Sequence, residues 1–426
     1  MLPLHWLAAL TTLVDDTAIS LLRPLARVQS PRVHDAEPLG AGVLHRVNLS
    51  AAAVAGFGAR CLDGSPYAYY LRASPAGSAN ADKYVIYLHG GGLCIERIDC
   101  LERAKGDQGS SLNWKDAVGG FDNVLSYDER NPFRDWNAVF LRYCNGDTWT
   151  GTNADGRPGR YGLYFSGHNV LAATVADLRT SHGLGNASST QQVVLTGASA
   201  GGIGTNNNCN WLADSLFDAN VNVSCAPQAG LFFPQGVRAL WQQRVLPGEL
   251  TAGQVGSLWV TRLFSSRLDE RCSRAQQSKN ESVRFCWDAS TVLPHLVPRT
   301  LVAQNSWDQL QLDAILCWQD DVPLPGVSCP DDYLRAHRQA VVTQLSTLHA
   351  QGSGSVSAWN PSCFTHTEDM CVAPKKTPTT VQNHTLADAF VAWLAGESLL
   401  LLDVCGTAPS NETRPCNSGC GGCGGE

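Results

Sequence analysis

The small-residue segment around Ser199 constrains the fold of this chain more than any other feature. The apolar run Val193–Leu195 is followed by the sequence GASAGG, which contains Ser199, and then by further small residues. This order of strand, sharp turn and helix is typical of a nucleophile elbow. Small residues flank the serine because larger side chains would collide in the strained turn. The pattern predicts a serine hydrolase.

Strand-like and helix-like segments alternate along the chain. Short apolar runs predict strands at Tyr84–Leu88, Ala138–Tyr143, Gln192–Thr196 and Leu301–Gln304. Apolar residues at helical spacing predict helices at Val170–Leu178, Asn210–Phe217, Ala336–Leu348 and Leu386–Leu394. This alternation indicates an α/β-hydrolase-like fold, with a mostly parallel central sheet flanked by helices. Residues 228–295 are rich in Trp, Arg and Gln, and we expect them to form a cap insertion over the carboxyl edge of the sheet.

Three parts are expected along the chain. Residues 1–25 are interpreted as a signal peptide or leader, since Leu2–Val14 forms an apolar stretch, although no basic start precedes it. Residues 40–405 are expected to form the α/β-hydrolase-like esterase domain, and residues 406–426 a Gly/Cys-rich tail partly tied by disulfides. No segment offers about 18 uninterrupted apolar residues, so we expect no transmembrane span.

Cysteines and glycosylation sequons favour the secretory pathway. The chain has 16 cysteines, and Cys420 and Cys423 form a lone C-x2-C without the partners of a zinc site. Six N-x-[ST] sequons lie at Asn48, Asn186, Asn222, Asn280, Asn383 and Asn411. Together they predict a secreted, disulfide-bonded glycoprotein. The net charge of −7 and the lack of a basic run argue against a nucleic-acid partner.

A serine nucleophile needs a histidine base and then an acid that orients it. On this type of sheet the chain order is serine, acid, histidine. His366 is favoured as the base because it lies on a loop after the turn at residues 359–361 and before the last predicted helix. The other histidines that follow Ser199 are His295, His337, His349 and His384.

The residues alone leave the acid open. Asp308 follows the strand-like run that ends at Gln304, so it would lie at the carboxyl edge of the sheet. Asp288, Asp313 and Asp320 are alternatives. The ordinary structural role of an aspartate in such a place is to cap the helix that follows.

The sequence LHGGGLC, residues 88–94, supplies a third element of the site. Glycines after an early strand let backbone N–H groups approach a substrate carbonyl closely, and the N–H of Ala200 would complete an oxyanion hole. No Gly-Lys-Ser/Thr follows, so the run is not a phosphate loop. His89 is assigned a structural role.

Four motifs, GASAGG, LHGGGLC, RYCNGD and PSCFTH, together resemble those of the pectin acetylesterase / Notum carboxylesterase family. The resemblance covers about residues 40–400. It places the family's site residues on the nucleophile Ser199, the base His366, the acid Asp308 with its partner Gln311, and the oxyanion residues Gly90, Gly91 and Ala200. In the same light we expect the disulfides Cys94–Cys100, Cys61–Cys144 and Cys209–Cys225.

The resemblance implies an extracellular carboxylic-ester hydrolase that deacetylates cell-wall polysaccharide. The alternatives are a Notum-like protein O-palmitoleoyl deacylase and a non-catalytic secreted binding protein on the same scaffold. Three positions depart from the family: His89 replaces an acidic residue, Gln228 replaces a common aspartate, and Gly92 replaces a tryptophan of Notum. The catalytic machinery is therefore better supported than the substrate. No metal or organic cofactor is implied, and we expect a monomer.

Overall fold

The computed structural model describes residues 42–94, 97–156, 161–216, 220–232, 261–314, 318–319, 322–323, 331–352, 355–374, 377–403, 414–421 and 423. The interpretation of residues 1–25 as a leader falls outside these residues.

A ten-stranded sheet forms the centre of the described part of the protein. Its strands are β1 (Leu44–Asn48), β2 (Ala68–Arg72), β3 (Lys83–Leu88), β4 (Ala117–Val118), β5 (Asn137–Leu141), β6 (Gln191–Ala198), β7 (Val221–Gln228), β8 (Thr300–Ala303), β11 (Val356–Asn360) and β12 (Leu400–Leu402). Two further strands, β9 (Trp318–Gln319) and β10 (Val322–Pro323), pair with each other in antiparallel orientation.

The strand order is β12-β11-β8-β7-β6-β3-β5-β2-β1-β4. Neighbours from β12 to β5 are parallel, and neighbours from β5 to β4 are antiparallel. The mostly parallel sheet predicted from the sequence is confirmed. Because parallel strands share one direction, the loops after β3, β6, β8 and β11 all leave the sheet at the same edge.

Helices cover the sheet. They are α1 (Ala51–Phe57), α2 (Arg97–Arg103), α3 (Gly167–Ser181), α4 (Ala200–Leu216), α5 (Glu270–Ser278), α6 (Ala289–Val292), α7 (Gln309–Ala314), α8 (Asp331–Gln351) and α9 (Leu386–Leu394), with 3-10 turns at Val283–Trp287 and Leu293–His295. The strand residues Val85, Ile86 and Val193–Leu195 are fully buried in the resulting core. A parallel sheet has to be covered in this way on both faces. None of the described helices combines the length and the apolar character needed to cross a membrane.

The predicted strands and helices are all present; the helix Leu386–Leu394 has the predicted ends, and the other elements have shifted ends. Helix α4 begins directly after Ser199, earlier than the predicted start at Asn210. The intervening sequence GGIGTNNNC is rich in Gly and Asn, which are poor helix formers, so its pattern does not predict a helix. Strand β7 was missed, because Ser224 and Pro227 interrupt its apolar run.

Six disulfides link described residues. The expected pairs Cys61–Cys144, Cys94–Cys100 and Cys209–Cys225 are formed. The other three are Cys272–Cys286, Cys363–Cys420 and Cys371–Cys423. The last two attach the tail to the loop that follows β11, so the described part of the tail lies against the domain.

Glycines let α4 approach the sheet closely. A Cβ on Gly201 would lie 1.9 Å from the carbonyl oxygen of Leu88, at the end of β3. A Cβ on Gly202 would lie 2.5 Å from the carbonyl oxygen of Gln228, at the end of β7. These are backbone atoms, which cannot rotate away. The small residues around Ser199 are therefore required by packing on both sides of β6.

Replacing Gly201 by alanine should lower the free energy of unfolding by about 3 kcal/mol or more, because α4 would have to move off the sheet. Gly56 provides a matched control, since it lies in α1 and the methyl group of an alanine there would project into open space. Gly56→Ala should raise stability by roughly 0.5–1 kcal/mol through better helix propensity. Denaturant unfolding of both variants measures the difference, and equal stabilities would contradict this packing account.

Candidate active site

Ser199 occupies the sharp turn between β6 and α4. Its backbone has φ of 58°, in the left-handed region that non-glycine residues rarely adopt. The turn is held on both sides, since the Ser199 N–H donates to the carbonyl of Gln228 at 3.0 Å and the Ser199 carbonyl accepts from the N–H of Ile203 at 3.0 Å. The surrounding hydrogen bonds and packing thus compensate for a strained conformation.

Three side chains from distant parts of the chain meet at the carboxyl edge of the sheet. His366 Nε2 lies 2.8 Å from Ser199 Oγ, and His366 Nδ1 lies 2.9 Å from Asp308 Oδ2. Asp308 follows β8 and is fully buried, whereas Ser199 and His366 are 4% and 6% exposed. The structure therefore joins the favoured nucleophile, base and acid in one hydrogen-bonded row, with the carboxylate at its fully buried end.

Two neighbours hold the Asp308 carboxylate in place. Gln304 Nε2 donates to Oδ2 at 3.0 Å, and the backbone N–H of Gln311 donates to Oδ1 at 3.1 Å. Asp308 thus also caps the start of α7, so its ordinary structural role and its place beside His366 coexist. The Gln311 side chain instead donates to the carbonyl of Leu231 at 3.0 Å. Gln304 was not identified from the sequence. Its position at the end of a predicted strand, at the same edge of the sheet as Asp308, could have indicated it.

The alternative histidines and acids occupy other places. His349 Nδ1 pairs with the carbonyl of Val356 at 2.7 Å, and His384 Nδ1 with that of Gln382 at 2.9 Å. His337 is buried in α8, and His295 ends a 3-10 turn. Asp288 caps α6, Asp313 belongs to α7, and Asp320 lies outside the described residues.

The environment of His366 sets its protonation. Burial alone would lower the pKa of the imidazole, but the charge of Asp308, its hydrogen bond to Nδ1 and the charge of Glu368 together raise that pKa above its ordinary value. Asp308 accepts at Nδ1, which leaves Nε2 of the neutral ring free to accept a proton from Ser199. The row is therefore arranged to move a proton from serine to histidine.

The glycine loop after β3 lies directly against the nucleophile. A Cβ on Gly90 would lie 2.7 Å from the carbonyl oxygen of Ala198 and 3.2 Å from Ser199 Cβ, so only glycine fits there. Gly91 and Gly92 have φ of 146° and 67°, conformations that favour glycine. This close approach brings the backbone of the loop to the same side of the site as Ser199.

Trp149 supports the glycine loop from behind. Its indole Nε1 donates to the carbonyl of His89 at 3.0 Å. The turn that carries Trp149 is fixed by Asp147, whose carboxylate accepts from the N–H of Trp149 at 3.0 Å and of Gly167 at 2.6 Å. Complete burial raises the pKa of Asp147 to about 7, against the lowering effect of these backbone hydrogen bonds. Sequence reasoning did not assign a function to this turn.

An apolar pocket adjoins Ser199. Its walls are Gly92, Leu93, Thr148, Ser199, Ala200, Ile203, Phe232, Trp287 and Leu310. The ring of Phe232 lies 5.8 Å from that of His366, edge to face. Trp287 comes from the region predicted to form the cap, of which residues 233–260 lie outside the described residues. The pocket suits an uncharged, apolar group bound next to the serine hydroxyl.

Asparagines on α4 bind the backbone of Trp287, a wall of this pocket, and of Trp149, which follows the wall residue Thr148. Asn207 Nδ2 donates to the carbonyl of Trp287 at 3.2 Å, and Asn208 Nδ2 donates to the carbonyl of Trp149 at 3.0 Å. Trp287 Nε1 also donates to Thr148 Oγ1 at 3.0 Å. The helix that starts at the nucleophile therefore also positions the loops around it.

Within the described ranges, one cluster has the composition of a metal site: Cys363, Asp369 and Cys420. Cys363 and Cys420 form a disulfide with each other. Their sulfurs are therefore not thiolates, and thiolate is the form of cysteine that binds metal ions.

Comparison with known proteins gives a consistent family. A family model described as pectinacetylesterase matches residues 44–420. Pectin acetylesterase 5 of Arabidopsis thaliana is 26% identical over 387 residues, covering 85% of this chain and 82% of the relative. The palmitoleoyl-protein carboxylesterase Notum of Homo sapiens is 26% identical over 341 residues, covering 78% of this chain and 63% of the relative.

A solved structure shares the fold. The Wnt deacylase Notum from Drosophila superimposes with a TM-score of 0.70 at 23% sequence identity, covering 88% of this chain and 99% of that one. At this identity the match supports the architecture of the sheet and helices. It agrees with the α/β-hydrolase-like fold predicted from the sequence.

Asp308→Asn should lower the pKa of His366, because the burial of the ring would remain while the negative charge beside Nδ1 would be lost. Titration of the imidazole protons by NMR measures this shift. His168 serves as an internal control, since burial lowers its pKa to about 4 and its partner is Asn208 on α4. An unchanged His366 titration in the variant would show that Asp308 does not set the protonation of the ring.

Proposed function

Because the chain belongs to the pectinacetylesterase family, we propose that it is an extracellular carboxylic-ester hydrolase with Ser199, His366 and Asp308 as its catalytic triad. The observation that carries this proposal is the unbroken row of hydrogen bonds from Ser199 Oγ through the imidazole to the Asp308 carboxylate. Such a row, ending at a strained turn beside an apolar pocket, has the parts that acyl transfer to serine needs.

The first chemical step is attack on the ester. Ser199 Oγ adds to the acyl carbon while His366 Nε2 takes the hydroxyl proton, and Asp308 stabilises the resulting imidazolium. The negative charge moves to the former carbonyl oxygen. Backbone N–H groups of Gly90, Gly91 and Ala200 are proposed to bind this oxyanion, and each donor of this kind is worth roughly 3–4 kcal/mol of barrier.

The remaining steps release the products. The C–O bond to the alcohol breaks, and His366 gives its proton to the departing oxygen. Water then attacks the acyl-enzyme, with His366 again taking a proton, and the carboxylic acid leaves as Ser199 regains its hydrogen. The proposed chemistry uses side chains and backbone groups of this chain together with one water molecule as co-substrate.

Acetylated polysaccharide of the cell wall is the first proposed substrate. The Arabidopsis pectin acetylesterases align over most of their own length, between 82% and 90%. An acylated protein is the second candidate, and the apolar walls contributed by Ile203, Phe232 and Trp287 favour it. The intact hydrogen-bonded row argues against the third candidate, a non-catalytic binding protein.

Secretion is supported by the surface and by the cysteines. Five of the six sequon asparagines, all but Asn411, belong to the described residues, and all five are exposed. Six disulfides join described cysteines. Disulfides persist in oxidising compartments, and glycans need accessible asparagines. We therefore propose an extracellular location, with the cell wall as the site of the polysaccharide substrate.

Ser199→Ala should reduce kcat/KM for p-nitrophenyl acetate by about 1,000-fold or more, because the hydroxyl bonded to His366 Nε2 would be lost. Ser215→Ala is the matched control, since Ser215 lies exposed at the opposite end of α4. Hydrolysis assays and labelling by a fluorophosphonate probe provide two readouts. Full activity or full labelling of the Ser199 variant would exclude the proposed mechanism.

A series of p-nitrophenyl esters with increasing acyl length separates the two substrate classes. We expect kcat/KM to be highest for acetate and to fall with chain length, as an acetylated polysaccharide requires. A maximum at octanoate or longer chains would instead favour an acylated protein. Release of acetate from acetylated pectin would then measure the polysaccharide activity directly.

A further inference from the structure

The loop that carries His366 is fastened to the carboxyl-terminal tail. We call residues 361–373 the histidine loop. Its disulfides Cys363–Cys420 and Cys371–Cys423 lie on either side of His366 in the sequence. Within the tail, the N–H groups of Cys416 and Asn417 donate to the carbonyl of Ser362 at 3.1 and 3.2 Å. The tail thus holds both ends of the segment that places the imidazole.

Glu368 links the disulfide-bonded tail to the backbone of His366. Its Oε2 accepts from the backbone N–H of His366 at 2.8 Å and from that of Thr367 at 2.9 Å. Its own carbonyl accepts from the N–H of Cys423 in the tail at 3.1 Å. The side chain of Glu368 therefore fixes the backbone of His366, and its carbonyl is held by Cys423 of the tail.

The charge of Glu368 also acts on the ring. Both carboxylates near His366, Asp308 from the loop after β8 and Glu368 from the histidine loop, favour the protonated imidazole. The other described groups that face the ring, the hydroxyl of Ser199 and the phenyl ring of Phe232, carry no charge. His337, buried in α8, interacts electrostatically with Asp308. Burial lowers the pKa of His337 to about 4, so its ring is neutral near pH 7.

We propose that Glu368 is a positioning residue for His366, which sets the place of the imidazole through two backbone hydrogen bonds and adds negative charge beside it, with the tail holding Glu368 through Cys423. This inference rests on the proposed role of His366 as the base. A base acts only when neutral, so a nearby anion shifts the acid limb of the activity profile to higher pH. Displacing the imidazole would lower the rate at every pH.

Three variants separate these effects in profiles of kcat/KM against pH with p-nitrophenyl acetate. Glu368→Gln keeps an acceptor oxygen and loses the charge, so its acid limb should move to lower pH by roughly half a unit with little change in plateau rate. Glu368→Ala loses both, and its plateau kcat should fall about tenfold with a small change in KM. Glu397→Gln is the charge control, since Glu397 is exposed and its carbonyl binds Arg299, just before the start of β8.

The double variant Cys371→Ser/Cys423→Ser tests the contribution of the tail. It also replaces Glu368→Ala as the test of positioning if that variant does not fold. It should lower plateau kcat while leaving the acid limb in place, because the charge of Glu368 remains. A Glu368→Gln profile that superimposes on the wild-type profile would overturn the proposal. Titration of the His366 imidazole by NMR measures the effect of Glu368→Gln on its pKa without any need for activity. If the wild-type protein had no esterase activity, the proposed function would fall, but this titration would still test the effect of Glu368 on the ring.

Discussion

The close contact between α4 and the sheet is the constraint on which the site depends. Gly201 and Gly202 let the helix start against the ends of β3 and β7, where a single methyl group would meet backbone oxygens. Because the helix starts there, Ser199 is forced into a left-handed turn at the carboxyl edge of the sheet. The strain is local, and burial of the large surrounding core compensates for it.

From this fixed point, the order of strands assembles the remainder of the row. Asp308 follows β8 and His366 follows β11, which are neighbouring parallel strands on the same side of β6. Residues far apart in sequence therefore reach one edge, and short loops are enough to join them. Gln304 and Glu368 bind Asp308 and His366 from outside the row: Gln304 donates to the Asp308 carboxylate, and the Glu368 carboxylate accepts from the backbone N–H of His366.

The sequence was sufficient for the elbow and for the alternation of strands and helices, because each of these leaves a local pattern. The expected disulfides depended on the family resemblance, since Cys61 and Cys144 are 83 residues apart in the chain. The sequence could not choose among the later aspartates without the family resemblance, since the choice depends on which strand neighbours which. Gln304 and Glu368 were missed for a different reason: each bonds to a neighbour within four residues in an irregular loop, and such single contacts leave no periodic pattern in the sequence. The start of α4 was missed because packing overrides the poor helix propensity of its Gly and Asn residues.

The asparagines of α4 have a consequence for divergence among related enzymes. Asn207 and Asn208 bind the carbonyls of Trp287 and Trp149, so α4 helps to place the wall residue Trp287 and the turn that carries the wall residue Thr148. Asp308 and His366 instead follow the strands β8 and β11. Substitutions at Trp287 or Thr148 would then reshape the pocket without touching the side chains of the proposed triad. Related enzymes can therefore keep the same proposed triad while their pockets differ in size and shape.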